Sequence, residues 1–156
     1  MKILTTGGNG FLGKKCTKLF KYRLHDVIST DREGQIDLIG DLSDSNFVSI
    51  LLNVDAVVHC AAVQYVTKYL PIFFRESYFQ KNNVHATKNL CDRYHGTSMH
   101  FINIGTSMMY KQTGQYVYHT DDQKVGEGVY SPRLMRKFTW MIFCRIGNSY
   151  PLYHRW

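Results

Sequence analysis

The sequence predicts an α/β fold, a parallel sheet wound on both faces by helices, and three observations carry that reading. Short apolar runs bounded by turn residues recur from Met1 to Ile104, as buried parallel strands do. Segments with helical spacing separate them, and strands alternating with helices imply parallel pairing through right-handed crossovers. The first apolar run ends in a Gly7-x-x-Gly10-x-x-Gly13 turn that opens a helix.

That first unit is the most informative. Gly7 takes a tight turn, Gly10 lets the backbone approach a pyrophosphate, and Gly13 lets the helix pack close to the strand. Phe11 and Leu12 occupy the first helical turn, whose free N–H groups and dipole face the anion. All five are candidate cofactor-binding positions. A second strand over His25 to Thr30 ends at Asp31, about 20 residues beyond the glycines, where a carboxylate accepts hydrogen bonds from the adenosine ribose. That carboxylate repels a 2′-phosphate, so NAD is the expected cofactor. Arg32 next to it would pair with such a phosphate, so NADP stays open.

A third strand over Ile36 to Ile39 runs into Gly40-Asp41-Leu42, and Ser43 or Asp44 is placed to cap a helix over Asn46 to Leu52. The fourth strand is Val54 to Cys60. Ala61 and Ala62 follow it, with side chains small enough for a flat ligand to reach the backbone. A long helix is expected from Phe74 to Tyr94, with Val84, Thr87, Lys88 and Cys91 at helical spacing and Gly96 ending it. Met99 to Ile104 forms the fifth strand, leading to Gly105-Thr106-Ser107. Ligands in such sheets lie at the carboxyl ends of the strands, where these motifs fall.

Composition narrows the classes. A chain of 156 residues builds one core and little more. With 44% hydrophobic residues and no run of 18 apolar ones, no membrane span is expected. The start lacks the apolar core and cleavage site of a secretory signal. Cys16, Cys60, Cys91 and Cys144 are scattered without metal-like spacing, as reduced thiols of a cytoplasmic protein are. His25, His85, His95, His100 and His119 are dispersed, so no metal site is expected. The net charge of +7 is concentrated after Glu127, where Arg133, Arg136, Lys137, Arg145 and Arg155 meet no acidic residue. No nucleic-acid motif accompanies that stretch, and a basic patch alone is unspecific.

These motifs together resemble the N-terminal part of an extended short-chain dehydrogenase/reductase, the group of NAD-dependent epimerases and dehydratases and of 3β-hydroxysteroid dehydrogenase-like enzymes. Thr6-Gly7-x-x-Gly10-x-x-Gly13 is similar to that family's cofactor motif, and Gly40-Asp41-Leu42 to its adenine-contacting turn. Asp55-Ala56-Val57-Val58-His59-Cys60-Ala61-Ala62 resembles its fourth-strand motif, and Asn82-Asn83-Val84-x-x-Thr87-x-Asn89-Leu90 the helix after it. Gly105-Thr106-Ser107-Met108-Met109-Tyr110 resembles the strand that delivers the catalytic hydroxyl. The resemblance implies a Rossmann-like sheet and adds Asp41, Leu42, Cys60, Ala61, Ala62 and Asn83 to the cofactor-binding candidates. His59 is read as a structural residue of its motif.

The family's chemistry uses a tyrosine phenolate as base, a serine or threonine to hold the substrate oxygen, and a lysine four residues after the tyrosine. The resemblance makes Thr106 the hydroxyl, with Ser107 second, and Tyr130 the base. Leu134 then stands at the lysine position. A free phenol has a pKa near 10 and needs a fixed cation to become a phenolate at neutral pH, so turnover is expected to be absent or very low.

Two regions follow from this comparison: a dinucleotide-binding domain over 1–130, and an atypical basic and aromatic tail over 131–156 without the family's C-terminal substrate lobe. The tail is expected to be out of frame or degenerate, and the chain truncated. Open sheet edges and uncovered helix faces would favour self-association into a homo-oligomer. An impaired NAD-dependent epimerase/dehydratase or dehydrogenase and a non-catalytic dinucleotide-binding module are the two readings that the glycine turn, Asp31 and Asp41 support. The small-molecule substrate is not legible, and Asp121-Asp122 reads as a solvated loop pair.

Overall fold

A computed structural model of the chain describes residues 1–63 and 71–104. Five strands form one parallel sheet in the order β3-β2-β1-β4-β5: β1 (Lys2–Thr6), β2 (Asp26–Asp31), β3 (Leu38–Ile39), β4 (Ala56–His59) and β5 (His100–Asn103). β1 pairs β2 with Thr6 opposite Thr30, and β4 with Thr6 opposite His59. The strand order reverses at β1, so a crevice opens between the carboxyl ends of β1 and β4, the switch point at which ligands of such sheets bind.

Alternation along the strands sorts the core onto two faces. Ile3, Ala56 and Val58 are buried toward α1 (Phe11–Tyr22), which supplies Phe20. Leu4 and Val57 face the other way, onto α2 (Ser45–Ser49) and α4 (Ala86–Tyr94), and share a core with Val48, Leu90 and Tyr94. Burial on both faces explains why β1 and β4 read as continuous apolar runs rather than alternating ones. α1 ends where Leu24 turns left-handed at φ 61°, so that its N–H and that of His25 reach back to the Lys21 and Phe20 carbonyls.

β4 and β5 are each trimmed at both ends relative to expectation, and three other elements differ for a local reason. β3 is only Leu38–Ile39 because the Asp37 carboxylate, not a strand carbonyl, accepts from the Ser29 N–H at 2.8 Å and the Ser29 hydroxyl at 2.7 Å. Those bonds, with Lys21 beside it, hold the Asp37 carboxyl below its ordinary range against the opposing effect of burial. α2 is the single short helix Ser45–Ser49, capped by Asp44, which accepts from the Asn46 N–H at 2.9 Å. The long helix starts at Ile72 and is not uniform. α3 (Ile72–Phe79) passes into one wide π turn over Gln80–His85 before α4 resumes. No helix among the described residues is long and apolar enough to cross a membrane.

Candidate functional site

The glycine turn builds the rim of the crevice. Gly7 sits at φ 66°, and a Cβ there would lie 2.8 Å from the Ala61 N, so only glycine admits this close crossing of β1 and β4. Gly13 is the one buried residue of α1, and a Cβ on it would run into the Gly7 carbonyl. Gly10 is the N-cap of α1 and brings no capping side chain; its carbonyl accepts the first helical bond, from the Lys14 N–H at 3.0 Å. The N–H groups of the first turn, at Phe11, Leu12 and Gly13, are therefore the helix's orphan donors. Phe11 is 84% exposed, so its part in the site is its backbone.

Around that turn the structure gathers a cleft of about 130 Å³ at the β1–β4 switch point. Gly7 and Gly10 form one wall, Asp31 and Arg32 the far end, and Gly40-Asp41-Leu42 a second wall. Cys60, Ala61 and Ala62 line it from β4. Most of the cofactor candidates are thus brought together; Phe11, Leu12 and Gly13 stand behind them in α1. A larger groove of about 550 Å³ runs along the flank of α1 beside Lys14, Lys18 and Lys21. Of the glycine turn it takes in only Gly8, and none of the carboxylates at the switch point.

Asp31 is oriented before any ligand arrives. One oxygen accepts from the Asn9 N–H of the glycine turn at 2.9 Å, and the other from the Arg32 N–H at 2.8 Å. Arg32 turns its guanidinium across the mouth to the Asn82 amide oxygen at 2.8 Å. At Asp41, burial raises the carboxyl pKa, but the Ser43 N–H and hydroxyl, Lys81 and Arg32 outweigh it and hold the group below the ordinary carboxylate range. The Ser43 N–H lies 2.9 Å from Asp41 and the Lys81 ammonium 3.9 Å.

The floor is fixed by a directed chain of hydrogen bonds. The Ala61 N–H donates to Thr6 Oγ1 at 3.3 Å, and Thr6 Oγ1 lies 2.6 Å from His59 Nδ1. His59 Nε2 lies 2.9 Å from Thr87 Oγ1, which donates to the Asn83 carbonyl at 2.7 Å. Because Thr87 already donates onward, His59 must donate to it from Nε2 and accept at Nδ1, which assigns the neutral imidazole. Burial pushes its pKa down to about 4. His59 is structural, as its motif suggests.

Asn83, a cofactor-binding candidate, turns its side-chain amide to the loop after β4. Its amide oxygen accepts from the Val63 N–H at 2.8 Å and its amide nitrogen donates to the Val63 carbonyl at 3.0 Å, so both ends clamp the loop after β4. The residue of that turn that lines the cleft is Asn82, together with Ala86. The signal for Asn82 is the Asn-Asn pair itself, since the π turn presents two consecutive amides to two different partners. Thr106, Ser107 and Tyr130, Leu134 at the lysine position, and the tail over 131–156 lie outside the described residues.

Solved structures of the same architecture are numerous. MoeE5 in complex with UDP-glucuronic acid and NAD is 25% identical, with a TM-score of 0.70 over 88% of this chain and 46% of that one. UDP-N-acetylglucosamine 4-epimerase from Bacillus cereus is 24% identical, with a TM-score of 0.67 over 87% and 51%. UDP-glucose 4-epimerase from Bifidobacterium longum, in complex with NAD+ and UDP, is 19% identical, with a TM-score of 0.68 over 88% and 46%. The chain spans about half the length of these structures. No curated protein matches the sequence. The model of the NAD dependent epimerase/dehydratase family matches residues 3–133, and with the glycine turn, the oriented Asp31 and the 3-2-1-4-5 sheet in place, the chain belongs to that family.

Proposed function

We propose that this chain binds NAD at the β1–β4 switch point and is the cofactor-binding part of an epimerase/dehydratase or dehydrogenase whose own turnover is low. The observation that carries the reading is the Asp31 carboxylate, held by the Asn9 N–H at the far end of a cleft that begins at the N-terminus of α1. The residues suit the group. The first-turn N–H groups of α1 would take the pyrophosphate, and Asp31 the adenosine ribose hydroxyls. Asp41 and Leu42 would border the adenine, and Cys60, Ala61 and Ala62 would let the flat remainder lie close to the backbone. NAD, once bound, supplies a hydride acceptor. The chain's own part is to hold the dinucleotide and, at Asp41, to keep a carboxylate charged beside it.

Low turnover is inferred from Leu134. By resemblance, Thr106 holds the substrate oxygen, with Ser107 second, and Tyr130 takes its proton. General base catalysis contributes about 10² to 10⁴-fold, and a phenol without its cation forfeits most of that. Nucleotide sugars are the first substrates to try, since they occupy several of the matching structures. Incubating the purified chain with NAD and UDP-glucose should yield no epimerised, dehydrated or oxidised sugar nucleotide on chromatography and no reduced nicotinamide. Steady formation of any such product that Tyr130→Phe abolishes would overturn the low-turnover reading. It would point to Arg133 or Lys137 as the replacement cation.

A further inference from the structure

Three consecutive side chains of the π turn reach three different partners. Lys81 lies 3.9 Å from the Asp41 carboxylate, Asn82 accepts from Arg32, and Asn83 clamps the loop after β4. The first two contacts cross the mouth of the cleft, because Arg32 follows β2 and Asp41 follows β3. Arg32 and Asn82 are 50 residues apart in the chain, and both line the cleft. The Asn82 amide is not free to turn. Its nitrogen donates to the Tyr78 carbonyl at 2.7 Å, which leaves its oxygen to the Arg32 guanidinium at 2.8 Å and assigns the two ends of the amide.

Arg32 gives its guanidinium to this neutral amide although two carboxylates share the cleft with it. Both are already engaged. Asp31 accepts from the Asn9 and Arg32 N–H groups, and Asp41 from the Ser43 N–H with Lys81 beside it. A guanidinium resting on a neutral acceptor is one that a stronger acceptor can claim, and phosphate oxygens are stronger. In NADP a phosphate replaces the 2′-hydroxyl, one of the groups proposed for Asp31. The cation next to Asp31 in the chain is therefore the one on which tolerance of that phosphate depends.

We propose that Asn82 is a specificity-determining residue, which keeps Arg32 engaged across the mouth of the cleft and thereby favours NAD over NADP. The assignment rests on the NAD reading of the cleft. Asn82 acts through Arg32, so it is a positioning residue. To take a 2′-phosphate, Arg32 must first leave the amide, and a group released only part of the time lowers the apparent affinity by that fraction. A hydrogen bond of ordinary net strength makes the penalty about fivefold. NAD carries no 2′-phosphate and draws on no such release, so the hold bears on the ratio of the two cofactors. Asp31 and Asn82 then work in the same direction: the carboxylate repels the phosphate, and the amide withholds the cation that would offset the repulsion.

The test titrates NAD and NADP into the full-length chain, into Asn82→Ala, and into Asn82→Leu, which keeps the bulk of the amide but not its acceptor. Each variant should raise the ratio of NADP to NAD affinity about fivefold. Loss of a merely structural bond would weaken both cofactors alike and leave the ratio where it was. In an Arg32→Ala background the same substitutions should leave the ratio unmoved, because no guanidinium is there to be released. Adenosine 2′,5′-bisphosphate against 5′-AMP, which differ only in the 2′-phosphate, should repeat the shift. An unmoved ratio in both Asn82 variants, or an equal rise without Arg32, would overturn the assignment. Binding of neither dinucleotide by the unaltered chain removes the NAD reading and this assignment with it, whereas NAD binding with an unmoved ratio removes the assignment alone.

Discussion

Gly13→Ala is expected to destabilise the chain by about 3 kcal/mol, as overpacking against a rigid neighbour does, and to weaken NAD binding by at least about tenfold. The sign is what makes the result informative. Within an ordinary helix, glycine to alanine stabilises by roughly 1 kcal/mol. Here the added Cβ meets the Gly7 carbonyl, which is backbone and held by its own bond from the Gly10 N–H at 2.9 Å. α1 has to lift from the turn, and the orphan N–H groups lift with it. Gly10→Ala makes the contrast. Its Cβ would lie 3.1 Å from the same oxygen at an ordinary φ of −72°, so it should cost little stability while still obstructing the phosphates. Urea unfolding followed by circular dichroism, with NAD titrations on each variant, separates the two effects.

The second large effect is on stability at mildly acid pH, through His59. Its imidazole titrates near 4 in the folded chain, against about 6.5 when unfolded. Above that unfolded value both states are neutral and stability is flat. Between about 6.5 and 4 the unfolded chain takes up a proton that the folded chain refuses, so folding weakens as pH falls; below about 4 the loss levels off at roughly 3 kcal/mol. The carboxylates act elsewhere. Asp37 and Asp41 have folded pKa values below the ordinary one, so their contribution is fully present above about 3.8 and is lost only on further acidification. Unfolding free energies at pH 7 and pH 4.5 should therefore differ in the parent chain and differ much less in His59→Gln. An equal fall in both would mean that His59 is not the group responsible.

The sheet was legible because its signals are local. The apolar runs mark strands buried on both faces, and the Gly7-x-x-Gly10-x-x-Gly13 turn fixes where the first strand meets its helix. The features that escaped are those in which a side chain replaces a backbone partner. Asp37 takes the place of a strand carbonyl for Ser29, which shortens β3 below its apolar pattern. The π turn over Gln80–His85 leaves no trace in hydrophobic spacing, because one extra residue per turn shifts the register without changing which residues are apolar. That shift is why Asn83 clamps Val63 and Asn82 reaches Arg32.

Arg32 is the residue on which the cofactor preference turns. Its guanidinium is at the mouth of the cleft, where Asn82 holds it to one side, and beside it Asp31, oriented by the Asn9 N–H, is the residue proposed to take the ribose hydroxyls. The measurement that decides is isothermal titration of NAD and of NADP into the purified chain, with Asp31→Ala beside it. NAD should bind at least about tenfold more tightly than NADP, and Asp31→Ala should weaken NAD by a similar factor, as loss of a hydrogen bond to a charged group does, while narrowing the gap between the two cofactors. No heat with NAD, or tighter binding of NADP by the unaltered chain, would contradict the account.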